Sequence, residues 1–289
     1  MALLALGLLG FPESRAGTKR AVLDDLGRRV VLPAGPPRRI VSLAPSVTEI
    51  LFAIGAGDRL VGVTDLCDNP PAARTLPRVG GMVKPDWETV VRLRPELVVA
   101  STAGNDASQV SQAERLGLPL YFTDAPDLNG LLRSVTHLAE VAGLRERGEA
   151  LRRSLQARIQ ALQDGAPAGP LPKVLFLVWI DPPVVPGSGT FLNDALRLAG
   201  VDSVSSDAPA GWPTYDLETI LRRRPDWIVA AQSNASALAA LAERPGWSTL
   251  DAVRSGRVLT VSEAIERPSP GVVDAMEELQ RRIRGRALN

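Results

Sequence analysis

Two rhythms of apolar residues alternate along this chain. Short β-branched runs recur at 39–43 (RIVSL), 59–63 (RLVGV), 96–101 (ELVVAS) and 118–124 (LPLYFTD). Their length and composition predict strands. Between them the spacing turns helical. Val47, Ile50, Leu51 and Ile54 share one face of a predicted helix that Ser46 or Thr48 caps and Gly55 and Gly57 end. Leu131, Val135, Leu138 and Ala142 share one face of another, running from Leu128 to Ala142. SQAERLG, at 111–117, predicts a shorter one. Ahead of all these, 21–32 (AVLDDLGRRVVL) predicts two short strands around an Asp-Leu-Gly turn. Strand and helix in alternation predict an α/β fold with mainly parallel sheets.

At 144–163 the texture changes to a long, highly charged helix with apolar residues at Leu151, Leu155, Ile159 and Leu162. The Gly- and Pro-rich stretch 165–172 ends it, and a second alternation starts with KVLFLVW at 173–179. This predicts two Rossmann-like lobes, at 21–143 and 165–289, joined by one backbone helix at 144–164. In the second lobe TFLNDALRLAG and SALAALAERPG predict helices, RVLTV a strand, and GVVDAMEELQRRI a terminal helix.

A duplication supports two similar lobes. Residues 86–100 (DWETVVRLRPELVVA) return at 216–230 as DLETILRRRPDWIVA, with eight of fifteen positions identical. Each copy reads as an Asp-capped short helix stopped by proline, then a buried strand. A cleft between two lobes is the default place for a ligand.

Composition narrows the function. A net charge of +1 gives no electrostatic case for nucleic acid or an anionic membrane. Glu277 and Glu278, four residues before Arg281 and Arg282, predict ion pairs along one helix face rather than a basic patch. Cys67 is the only cysteine, so no disulfide forms within the chain. His137 is the only histidine and falls opposite the apolar face of its helix, predicting a surface residue. One Cys and one His make a dedicated zinc or copper site an expected absence. Residues 1–20 begin with ALLALGLLGF after the first Met, an apolar run too short to span a bilayer. It predicts a weak or truncated export signal, with an apolar cytoplasmic helix as the alternative.

Catalytic patterns are missing: no phosphate loop and no G-x-S-x-G elbow occur. GSGT at 187–190 precedes a helix and reads as a flexible loop or a weak anion site. Trp227 and Trp247 read as core, and Trp87 as packing or surface. Trp179 ends a predicted strand, and ligands in open α/β sheets bind beyond strand carboxyl ends. Trp212 sits in a Gly-Trp-Pro loop. Both are candidate ligand contacts, with local packing as the alternative. Glu266 and Arg267, in the loop before the last helix, are candidate polar contacts.

Several stretches together resemble a family: VLDDLGRRVVLPAGPPRRIVSLAPSVTEILFAIGAGDRLVGVTD, the two D-x-E-T-x-x-x-R-x-R-P segments, GTFLNDALRLAG and ERPSP. They are similar to the substrate-binding proteins of bacterial ABC importers for cobalamin, haem and ferric siderophores, over roughly 20–285. VGVTDLCDNPP, IDPPV, GWP and ERPSP place the chain nearest the cobalamin-binding members. The resemblance implies two α/β lobes on one long helix, no cofactor of its own and no enzyme activity. It implies a periplasmic or otherwise extracytoplasmic location, a corrinoid ligand and a permease dimer with ATPase subunits as partner. A ferric siderophore or haem is the alternative ligand, and an enzyme on the same scaffold the alternative class. Cobalamin binders surround the corrin with aromatics. The matching first-lobe positions here are Leu66, Met82 and Ser101, so the cradle is thinner on that side. The resemblance also implies that Glu88 and Glu218, equivalent positions in the two copies, dock onto the permease. Complementing the two helix dipoles is their plainer reading.

Overall fold

A computed structural model describes residues 19–106, 108–166 and 169–287. The candidate export segment lies outside the described residues, except Lys19 and Arg20, which already belong to the first strand.

β1 (Lys19–Leu23) and β2 (Arg29–Pro33) pair as an antiparallel hairpin. The first lobe continues with β3 (Ile40–Ser42), α1 (Pro45–Ala53), β4 (Leu60–Val63), α2 (Trp87–Arg92) and β5 (Leu97–Ser101). It closes with α3 (Ser108–Arg115), β6 (Leu120–Thr123) and α4 (Leu128–Val141). The long α5 (Arg145–Asp164) leads to β7 (Lys173–Leu177), β8 (Trp179–Ile180), β9 (Pro183–Val184), α6 (Phe191–Leu198) and β10 (Asp202–Ser203). Then come α7 (Leu217–Arg223), β11 (Trp227–Ala231), α8 (Ala235–Ala239), α9 (Asp251–Arg254), β12 (Val258–Val261) and α10 (Gly271–Ala287).

Each lobe holds one four-stranded, all-parallel sheet, in the orders β4-β3-β5-β6 and β10-β7-β11-β12. Counted within its lobe, each sheet runs second, first, third, fourth. The duplication read at 86–100 and 216–230 is thus a duplication of topology. In both sheets the chain reverses direction of winding beside the first strand, next to β3/β5 and β7/β11.

Period-two alternation sorts the strand side chains onto two faces. Ile40, Leu97, Val99 and Tyr121 from the first sheet, with Val174, Phe176, Trp227 and Val229 from the second, enter one shared core. Leu131 and Val135 of α4, Leu155 and Ile159 of α5, Leu192 of α6 and Met276 of α10 fill the same core. The outer faces form separate clusters, around Val41, Val98 and Phe122 and around Leu175, Leu177 and Ile228. The lobes therefore share apolar packing through α5. Gly148 permits the close approach of α4 and α5, since a Cβ there would lie 2.2 Å from that of Ala139.

Several local expectations change. Neither Ser46 nor Thr48 caps α1. Ala44 is its N-cap, Pro45 opens it, and no side chain bonds the free amides. Thr48 is buried instead, its hydroxyl donating to Ser42 Oγ at 2.8 Å and Cys67 Sγ at 3.1 Å. His137 is half-buried rather than free: Nδ1 lies 2.6 Å from Asp25 Oδ1. Asp25 also accepts from the hydroxyls of Tyr121 (3.1 Å) and Ser134 (2.8 Å). The hairpin turn folds back onto α4 there, a tertiary contact that helical periodicity does not show. On α10, Arg282 pairs with Glu278 at 3.0 Å, but Glu277 turns to Arg158 of α5. SALAALAERPG splits into the five-residue α8 and a 3-10 turn. Trp227 and Trp247 are buried, and Trp87 packs partly buried on the outer core.

Candidate functional site

The carboxyl ends of the central strands carry the loops where an open α/β sheet takes its ligand. In the first lobe these are 43–46 after β3 and 102–105 after β5. Asn105 fixes them: its Oδ1 accepts from the Ser101 amide (2.7 Å), and its Nδ2 donates to the carbonyls of Leu43 (3.0 Å) and Met82 (2.9 Å). Gln109 donates to the same Met82 carbonyl at 2.8 Å. Met82 is thus pinned over these loops, and Gly104 makes room for it; a Cβ there would sit 1.8 Å from the Met82 methyl.

A cavity of about 240 Å³ opens here, lined by Pro45, Leu66, Met82, Gly104, Glu266 and Arg267 among others. Four sequence candidates, Leu66, Met82, Glu266 and Arg267, therefore share one pocket. Ser101 lies buried just behind it. Glu266 and Arg267 arrive from the far lobe, on the loop after β12, so strand-end loops of both sheets meet at this point.

Arg267 is already engaged. Its Nη1 lies 3.3 Å from Glu49 Oε1 and 3.3 Å from Asp68 Oδ1, both first-lobe residues. Ser269 donates to Glu49 Oε2 at 2.7 Å. Glu49 is buried on α1, and a buried carboxylate needs such partners. The cluster clamps the lobes together below the cavity. Sequence reading missed Glu49, Asp68 and Ser269. The available signal was that Glu49 is the only charged residue in an otherwise apolar and hydroxylic helix.

Glu266 is the opposite case. Its Oε1 is buried without a hydrogen-bond partner among the described residues. Burial and, secondarily, the neighbouring Glu263 push its carboxyl up to about 7, with Arg267 opposing. That oxygen has almost no accessible surface, so a ligand donor reaches it only if the side chain turns toward the cavity.

Trp179 and Trp212 do not line this cavity. β7 ends at Leu177, so Trp179 stands on the short β8–β9 ribbon rather than ending the strand. Val184 of that ribbon pairs on one side with Trp179 and bridges on the other to Thr214, two residues beyond Trp212. Both indoles are open to solvent, 59% and 53% exposed. The Trp179 Nε1 donates to the Asp181 carbonyl at 2.8 Å, which fixes the ring. The GSGT segment is tied down: the Gly187 amide donates to the Gly211 carbonyl at 2.8 Å, and Thr190 caps α6.

A larger cavity, about 720 Å³, is lined by Asp127, Lys173, Asn193 and Arg197 among others. Lys173 and Asp202 place it at the amino ends of β7 and β10, the wrong end of the sheet for a ligand site of this fold. No group of acids, histidines and cysteines suited to a metal occurs among the described residues. No helix among them is long and apolar enough to cross a membrane.

Glu88 and Glu218 are exposed near the starts of α2 and α7. Asp86 and Asp216 cap these helices, accepting from the amides of Thr89 (3.1 Å) and Thr219 (2.7 Å). The capping role is thus filled by the aspartates.

Two lobes of identical topology on one long helix, with a pocket where their strand-end loops meet, match known proteins. The periplasmic binding protein family matches residues 40–264. The chain belongs to that family. The ABC transporter substrate-binding lipoprotein YvrC of Bacillus subtilis (strain 168) is 30% identical over 94% of this chain and 89% of its own. The crystal structure of the periplasmic vitamin B12 binding protein BtuF of Vibrio cholerae has a TM-score of 0.76 and 25% identity, covering 86% of this chain and 97% of that one. The periplasmic heme-binding protein RhuT from Roseiflexus sp. RS-1, in apo form, gives 0.77 and 27%, covering 84% and 96%. YvrC is an ABC transporter substrate-binding protein and the other two are periplasmic binding proteins, so this family member is a substrate-binding protein of the ABC-transporter type and not an enzyme.

Proposed function

We propose that this family member captures a corrinoid in the cleft between its lobes, 21–143 and 165–289, outside the cytoplasm. It delivers the ligand to a membrane permease dimer served by ATPase subunits. The observation that carries the ligand class is Glu266, a cavity-lining carboxyl with one buried oxygen that has no hydrogen-bond partner among the described residues. A corrin rim carries neutral amides, which donate to such an oxygen. A haem rim carries propionates, and a carboxylate placed beside Glu266, whose own carboxyl is already raised to about 7, would oblige it to hold its proton. The cavity alone is smaller than typical ligand sites, which run to roughly 300–1,000 Å³. A tetrapyrrole-sized ligand would therefore rest on Leu66 and Met82 and lean on the exposed Trp179 and Trp212. Apolar stacking supplies most of the affinity.

Haem is the second reading, favoured by the heme-binding relative RhuT and by the one thioether at the cavity, Met82. Tyr121 and Tyr215, the only tyrosines, are buried, and His137 is held by Asp25, so none of these offers an iron ligand.

The test is thermal unfolding with cyanocobalamin, cobinamide, haemin or ferric siderophores in excess. A ligand at a hundred times its dissociation constant stabilises by about 2.7 kcal/mol. A shift with either corrinoid supports the reading, and a shift with haemin alone overturns it.

Glu88 and Glu218 support the partner. Their capping role is filled by aspartates, they are exposed, and they recur at equivalent positions. A two-fold permease can meet them with one basic group per subunit. Charge pairs of this kind set orientation and association rate.

A further inference from the structure

Arg94 and Arg224 are the only non-glycine residues with positive φ among the described residues, at 46° and 48°. They stand at the same place in the two repeat copies, 130 positions apart. Each precedes a proline, which bars the right-handed helical region, and each ends its short helix in the left-handed one. Glycine takes that conformation without a Cβ clash. An arginine there strains the backbone, and it does so twice.

The fold does not use these side chains. Both are exposed, and neither guanidinium has a hydrogen-bond or ion partner among the described residues. The arginines two positions earlier are occupied: Arg92 donates to the Thr89 hydroxyl (2.5 Å), and Arg222 donates to the Thr219 hydroxyl (3.2 Å) and lies 3.7 Å from the Glu218 carboxylate. The turn at Arg94 is held through its carbonyl, which accepts from Arg39 Nε at 3.2 Å. Midway between each glutamate and each strained arginine sits an exposed apolar residue, Val91 (42%) and Leu221 (37%).

We infer that each lobe meets the permease through a stripe of three residues, Glu88–Val91–Arg94 and Glu218–Leu221–Arg224. This inference rests on the docking reading above. Each stripe is acid, apolar, base in the same order, and the common topology of the lobes repeats it. The exposed glutamate that opens each stripe, which anionic lipid would repel, favours a protein partner over a membrane surface. A protein fits that presents a base, an apolar spot and a carboxylate in that order, once per subunit of a two-fold dimer. The partner carboxylates would take the free guanidinium forks. Beside Leu221 and Arg224 lies a groove of about 470 Å³, also lined by Pro225 and Leu250, which gives a partner side chain a seat in the second lobe.

The experiment measures binding of the purified receptor to its permease–ATPase importer reconstituted in nanodiscs, by surface plasmon resonance. Thermal unfolding and cyanocobalamin titration run in parallel. The double variant Arg94→Gly with Arg224→Gly removes strain, so its unfolding temperature rises. It loses two charge-assisted contacts, so its affinity for the importer falls roughly tenfold or more. Arg94→Glu with Arg224→Glu weakens docking further, and cyanocobalamin titration matches wild type for both. If the glycine variant is more stable and docks like wild type, the arginines are only helix ends and the inference is overturned. Glu88→Arg with Glu218→Arg separates the two levels. Lost docking there with intact docking in the arginine variants overturns the stripe alone. Intact docking in both sets, or no docking by wild type, overturns the docking reading and the stripe with it.

Discussion

Replacing Glu266 with glutamine keeps the shape of the side chain and removes a charge that the folded cleft disfavours. Burial raises this carboxyl from the ordinary 4.5 to about 7. The folded protein therefore holds a proton between those values that the unfolded chain has released. Stability depends on pH as the difference in bound protons, so this group's contribution is fully present below pH 4.5 and is lost as pH rises through about 7. The whole span corresponds to about 3 kcal/mol at 1.36 kcal/mol per unit. Part of the side chain remains in contact with water, and screening lowers the expected effect to about 1–3 kcal/mol. Glutamine has no such proton. Urea unfolding of wild type and Glu266→Gln at about pH 5 and about pH 8.5 isolates the effect, because other titrating groups cancel in the comparison. The variant should gain about 1–3 kcal/mol on wild type between the two conditions, read as the change in extrapolated unfolding free energy. An equal difference at both pH values would refute the reasoning and mean that the carboxyl is solvated in the cleft.

Trp212→Ala should weaken corrinoid binding by roughly 1–3 kcal/mol in isothermal titration, and an unchanged affinity removes that indole from the site. Ser269→Ala leaves one oxygen of buried Glu49 without its donor. It should cost about 1.5–3 kcal/mol in chemical denaturation, and a cost near zero would show that Glu49 is stabilised by Arg267 alone. Because α5 and the shared core tie the lobes together, ligand-induced closure should be small. A large fall in the radius of gyration on adding cyanocobalamin, measured by solution scattering, would contradict that.

Much of the architecture follows from local pattern. Continuous β-branched runs mark the central strands, which are buried on both faces, and period-3.6 spacing marks the helices, which bury one. The internal copy at 216–230 announces the second lobe, and the two sheets then share one strand order. Asp86 and Asp216 are legible as caps because capping is local, three residues in reach. The same rule fails at α1: the Thr48 hydroxyl is drawn inward to Ser42 and Cys67, partners that lie on other elements, and Pro45 already opens the helix ahead of Ser46.

The site divides along the same line. Aromatic and charged residues at strand ends are visible in the sequence, since strand ends are. What each one touches is not. Arg267 meets Glu49 and Asp68 across 218 and 199 positions, and Ser269 meets Glu49 across 220. No local period encodes contacts at that separation; they exist only once two lobes are brought face to face by a shared core. The same packing gives Arg267 two carboxylate partners and leaves one oxygen of Glu266, its neighbour in the chain, buried without a hydrogen-bond partner among the described residues. Adjacent residues of similar polarity thus receive opposite electrostatic fates from tertiary structure, because burial and partner distance, and not residue type, decide whether a charge is held or a proton is kept.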